Sequence, residues 1–148
     1  MGWLGDDRAD PRAELEAENA LRQARHVLDL IVESVQGGGG FRLTVDVLRE
    51  LNRLALEGLC EHAGRLRDAD VRIVGSRHEP PPHPEVERLL TECCEHVNES
   101  ARGGPLHRAA YALWRINLIH PLCRRQRPRR TRGGVHRLLR GHRRGASW

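Results

Sequence analysis

Ala109-Ala110-Tyr111-Ala112-Leu113-Trp114-Arg115-Ile116-Asn117-Leu118-Ile119-His120-Pro121 is the run on which the fold turns. Pro105 stands just ahead of it, in the first turn, where a helix tolerates a proline. Leu106, Ala109, Ala110, Leu113 and Ile116 recur at three- and four-residue steps with Asn117 beside them, which predicts a helix with one apolar face. The helix ends at His120, because Pro121 pushes the residue before it out of the helical region.

Upstream, residues 84–97 repeat the pattern. A proline falls in the first turn, and Val86, Leu89, Leu90, Cys93 and Val97 share one face. Residues 79–84, with Pro80-Pro81-Pro82, read as extended. Val71-Arg72-Ile73-Val74 alternates and stops at Gly75, which predicts a short strand or hairpin near residues 70–77. Before it, Thr44 caps a helix carrying Leu48, Leu51, Leu54, Ala55 and Leu59. Residues 14–35 form another helix, with Leu15, Leu21, Val27, Leu28, Ile31, Val32 and Val35 expected on one buried face. Gly37 to Gly40 separate the two. The expected fold class is mainly α, with one short β-hairpin.

Downstream of Pro121 the period disappears. All 25 basic residues of the chain are arginine. Residues 1–119 hold fifteen of them and all 20 acids, whereas residues 120–148 hold ten and no acid. The net +5 therefore belongs to the C-terminal segment and not to the helical part. So basic a run repels itself and buries little, and disorder is the expectation there. The layout read from the sequence is a flexible lead at 1–12, a helical core at 13–121 and an Arg-rich tail at 122–148.

Several functions are set aside on composition. No apolar run is long enough to span a bilayer, so no membrane partner is expected. The first residues lack a basic and then apolar leader, so no signal peptide is read and the expected compartment is the cytoplasm. Cys60, Cys93, Cys94 and Cys123 are then expected as reduced thiols. Cys60-Glu61-His62 and Cys93-Cys94-Glu95-His96 lack the paired spacing of a zinc site, so no metal ligand is assigned. The arginines at 124, 125, 127, 129, 130 and 132 can contact phosphates without sequence preference. With one Phe and one Tyr in the chain, nothing offers a base-stacking platform.

Gly64-Arg65-Leu66-Arg67, Val71-Arg72-Ile73-Val74-Gly75-Ser76, Pro80-Pro81-Pro82 and the helix ending Ile119-His120-Pro121, in this order and spacing, resemble a Fic (Fido) domain over residues 41–121. The resemblance implies a Fic-like helical bundle, with Arg72, Ile73, Val74 and Gly75 as the flap that docks a target segment by strand pairing. It implies transfer of AMP from ATP to a Ser, Thr or Tyr hydroxyl of a protein substrate, with Mg²⁺ on the phosphates. His120 would be the catalytic base. In the family signature, HPFx(D/E)GNGRxxR, an acid holds the metal and a Gly-Asn-Gly turn offers backbone donors to phosphate.

The sequence departs from that signature after Pro121. Leu122 replaces Phe, and the acidic position holds Arg124. The Gly-Asn-Gly positions hold Arg125, Gln126 and Arg127, and Pro128 takes the next arginine's place. Side chains at 125 and 127 keep phosphate away from the backbone, which only glycine permits so near. The bundle is thus expected to be incomplete at its C-terminus, ATP and Mg²⁺ lose their usual ligands, and the chain is expected to be inactive. A one-base shift accounts for the break. Reading residues 122–128 as CTT TGC AGA CGG CAA CGG CCG, followed by CGC, and deleting the first C gives Phe-Ala-Asp-Gly-Asn-Gly-Arg. Residues 122–148 would then be an out-of-frame translation of the signature and the helix behind it. An inhibitory helix of this family carries Ser/Thr-x-x-x-Glu-Gly/Asn. Glu18-Asn19 fits its end but Glu14 does not fit its start, so a solvated helix face is expected. The alternative function is a non-catalytic helical protein whose basic tail contacts nucleic acid or an acidic partner.

Overall fold

A computed structural model describes residues 10–99 and 104–122. The first nine residues of the expected lead, and the Arg-rich tail from 123 on, lie outside the described residues. Four α-helices follow in order: α1 (Pro11–Gln36), α2 (Val45–Leu56), α3 (Val86–Glu99) and α4 (Pro105–Ile119). A 3-10 turn, His83–Glu85, leads directly into α3. The architecture is mainly helical, as the sequence predicts.

Local chemistry sets the helix starts. Asp10 caps α1 by accepting a bond from the Arg12 amide at 3.0 Å, and Pro11 occupies the first turn. The helix therefore starts one turn earlier than apolar spacing alone indicates. Thr44 caps α2 by accepting from the Val47 amide at 3.2 Å. Helix α2 stops at Leu56, short of Leu59, because Gly58 takes a left-handed turn at φ 72°.

The buried core is small. Among the described residues it consists of Leu56, Val86, Leu90, Cys93, Cys94 and Ile119, with Asn19 and Pro121 beside them. Helix α3 supplies four of these and packs against α4, where the His96 and Tyr111 rings meet at 4.1 Å. Asn98 staples the end of α3 to the entry of α2. Its amide accepts from the Leu43 N–H and donates to the Leu43 carbonyl, both at 2.8 Å.

Helix α1 overturns one expectation. Leu21, Val27, Leu28, Ile31, Val32 and Val35 were expected on a buried face, yet all are exposed. The reason is that α1 seats on α2 through amides. Asn19, fully buried, donates to the Ala55 and Glu57 carbonyls at 3.3 and 2.8 Å, and Gln23 donates to the Leu51 carbonyl at 2.9 Å. Glu18 lies exposed on α1, which makes no packing contact with α4 among the described residues.

Two further expectations are corrected. No hairpin forms near residues 70–77 among the described residues. One backbone bond, from the Ser76 amide to the Ile73 carbonyl at 3.2 Å, closes a turn at Val74-Gly75, and no strand follows. Arms of about three residues are too short for a two-stranded ribbon to hold unaided. Cys60 is disulfide-bonded rather than reduced. Cys93 and Cys94 are free and buried, and desolvation pushes the Cys94 thiol up to about 11, which keeps it protonated and unreactive.

Gly64 is the most demanding backbone position. Its φ is 76°, and a Cβ there would stand 2.8 Å from Arg53 Cβ and 3.1 Å from the Arg49 carbonyl. Gly75 has φ 82° with open space around it. In urea melts, Gly75→Ala is expected to cost about 1 kcal/mol, the strain of a left-handed alanine alone. Gly64→Ala is expected to cost about 2–4 kcal/mol, because the same strain is joined by a clash with the α2 backbone.

Candidate functional site around the end of helix α4

His120 caps α4 in the left-handed region, at φ 49° and ψ 57°. Its N–H donates to the Ile116 carbonyl at 2.9 Å. Glycine is the usual residue at such a helix end. A histidine there carries about 1 kcal/mol of strain or more, and surrounding contacts have to hold it. Such strain concentrates at functional sites.

Arg67 supplies those contacts. Its Nε donates to the His120 carbonyl at 3.0 Å, and one terminal nitrogen reaches the Ile119 carbonyl at 3.3 Å and the Pro81 carbonyl. The other terminal nitrogen donates to the Ala69 carbonyl at 3.1 Å and stands 3.9 Å from Asp70. Only 8% of the side chain is exposed, and desolvation lowers the guanidinium pKa from its usual value. The backbone adds a further hold. The Arg67 amide donates to the Pro121 carbonyl at 2.9 Å, and Leu66 and Leu122 form an antiparallel bridge.

The Arg67 loop is in turn fixed to α2. The Gly64 amide donates to the Asn52 side chain at 2.9 Å, and the Arg49 Nε donates to the Gly64 carbonyl at 3.0 Å. A second histidine approaches from the loop that follows. His78 Nε2 donates to the Leu118 carbonyl at 2.7 Å, and its ring centroid stands 6.2 Å from that of His120. On the far side of Arg67, Asp70 accepts from the His83 amide at 2.7 Å and from its ring at 3.2 Å. The amide bond comes first among the causes that hold the Asp70 carboxyl below its ordinary value.

Of the residues expected to carry function, His120 is the one placed by this framework. Arg72, Ile73, Val74 and Gly75 lie on the surface as an unpaired turn, with Val74 89% exposed and Ile73 half-buried. Arg124, Arg125, Gln126, Arg127 and Pro128 lie outside the described residues. Sequence reasoning placed Arg67 inside a recognised segment but gave it no role, and it passed over His78 and Asp70 altogether. No local pattern marks an arginine that caps a helix 53 positions away.

Replacing Arg67 by Met is expected to cost about 2–4 kcal/mol in denaturant melts, since several part-buried carbonyls lose their donor together. Arg67→Lys should recover only part of that, because an ammonium cannot reach carbonyls spread across a guanidinium fork. Asp70 has its pKa lowered by folding, so its contribution is present above the ordinary carboxylate range and is lost as the pH falls through it. Stability measured from pH 7 down to pH 3 should therefore fall less steeply in Asp70→Asn than in the parent chain.

Comparison with known proteins adds the family. A model of the Fic/DOC family matches residues 42–123. No curated protein matches the chain. The match covers more than half of the 148 residues and closes on the His120-Pro121 end of α4, so the chain belongs to the Fic/DOC family.

Proposed function

We propose that this chain keeps the general base of a Fic-type nucleotidyl transfer to a protein hydroxyl but not the means to hold the nucleotide. It is therefore catalytically silent as written. The observation that carries this reading is the seat of His120. The residue is held in a strained left-handed conformation by Arg67 and the 66–122 bridge, at the position where the family keeps its base. A histidine so fixed can serve as the base that takes the proton of a Ser, Thr or Tyr hydroxyl.

The residues beyond it do not fit ATP with Mg²⁺. Residues 120–148 contain no carboxylate that could share a divalent cation, and the positions of the phosphate-cradling turn carry Arg125, Gln126 and Arg127. Arginine attracts phosphate, but attraction without alignment does not lower the barrier to transfer.

The out-of-frame reading of residues 122–148 belongs to the same proposal, and the coding DNA tests it directly. Deleting one base from codon 122 should write Phe-Ala-Asp-Gly-Asn-Gly-Arg. A sequence that does not would leave the tail as an evolved basic segment.

Incubation with labelled ATP and Mg²⁺ should transfer no AMP to the chain itself or to candidate proteins. The frame-restored version should transfer it, and His120→Ala in that background should abolish transfer. Labelling by the chain as written that disappears in His120→Ala would overturn the silent reading.

A further inference from the structure

Helix α1 contains 26 residues, so it runs about 39 Å, and among the described helices it packs on α2 alone. The row that faces α2 includes Asn19 and Gln23. Almost opposite that row stand Ala17, Leu21, Ala24, Leu28, Ile31 and Val35, every one exposed. They alternate at four- and three-residue steps. That is the narrow apolar stripe that a two-stranded coiled coil buries. The charged residues Glu14, Glu18, Arg22, Arg25, Asp29 and Glu33 fall outside the seam, so covering it buries none of them.

We propose that this seam is a homodimer interface, in which α1 of one chain packs antiparallel against α1 of a second copy. Three observations select that occupant. First, the seam is self-complementary only when reversed. Ala17 then opposes Val35, Leu21 opposes Ile31 and Ala24 opposes Leu28, so a small residue meets a larger one in two of every three layers. A parallel pair would set Ala17 on Ala17 and Ala24 on Ala24 and leave voids. Second, the reversed pairing places each helix's positive end beside the other's negative end.

Third, the area suffices. On the seam Leu21, Leu28, Ile31 and Val35 are 71, 61, 52 and 77% exposed, and beside it Val32 and Phe41 are each 50% exposed. Together they present roughly 650 Å² of apolar surface per chain, hence about 1,300 Å² for the pair, inside the ~1,200–2,000 Å² of a specific interface. An apolar groove of about 390 Å³ between α1 and α2 opens beside the seam, lined by Ile31, Val35, Phe41 and Leu51 among others, and extends the same surface. Monomers seldom leave a patch of that extent in water.

The proposal does not depend on His120 or on catalysis. Sedimentation equilibrium of the full chain at micromolar concentration should show a dimer. Leu28→Asp should weaken it at least tenfold with the helical circular dichroism unchanged, and Leu21→Gln, a milder change, should weaken it too. Val74→Asp, at a still more exposed apolar residue away from the seam, should leave the dimer intact. For orientation, an oxidised equal mixture of Ala17→Cys and Val35→Cys chains should yield the mixed cross-linked pair and neither variant a pair with itself. A monomer at all concentrations, or an assembly indifferent to both Leu28→Asp and Leu21→Gln, would overturn the interface. A pair of Ala17→Cys chains linked to each other would overturn the antiparallel arrangement.

Discussion

One buried guanidinium carries the geometry of the site. The last turn of any α-helix leaves carbonyls without helical partners at the negative end of its dipole. Helix α4 has no basic residue of its own in that turn. Arg67, from a loop far upstream, supplies the missing charge and the missing donors together, and it spends them on Ile119, His120 and Pro81. The loop that carries it can deliver a cation there only because Gly64 lets the chain lie against the α2 backbone. The line of force thus runs from α2 through Gly64 and Arg67 to His120.

That line matters because hydrophobic burial contributes so little elsewhere. The core is short, and two of its members are cysteines. Polar side chains make the joints between elements: Asn19 and Gln23 between α1 and α2, Asn98 between α3 and the entry of α2, Arg67 between the loop and α4. Each such joint is specific in direction but modest in net energy, about 1 kcal/mol per neutral bond. A framework of this kind fixes where elements sit without burying their apolar faces. The bare seam of α1 is its direct consequence.

The helices were legible because their signals are local. The Thr44 cap, the prolines at 84 and 105, and three- to four-residue apolar steps place them to within a turn, whereas the Asp10 cap and Pro11 fall in the stretch read as a flexible lead, so the start of α1 was set late. The stop at His120-Pro121 was legible for the same reason. What the periodicity could not tell was which face of α1 would be covered, since an apolar stripe records the wish for a partner and not its identity. The hairpin failed because alternation over Val71-Arg72-Ile73-Val74 is a preference that needs a second strand, and residues 76–78 offer none. Arg67 escaped notice because its role is defined by carbonyls more than fifty positions away, which leave no trace in the residues around it.

The division of the site along the chain bears on the proposed frame break. Everything that seats His120 is encoded before codon 122: the Gly64 turn, the Arg67 fork, the His78 bond to Leu118 and Pro121 itself. The 66–122 bridge uses the backbone of residue 122, which any side chain leaves in place. Everything that would bind phosphate or a divalent cation is encoded after it. A shift of frame at that codon would therefore separate the two halves of the proposed chemistry cleanly, removing the anion and metal contacts while His120 keeps its strained seat. The same shift would replace the family's following helix by ten arginines, whose charge is costly to bury against apolar surface.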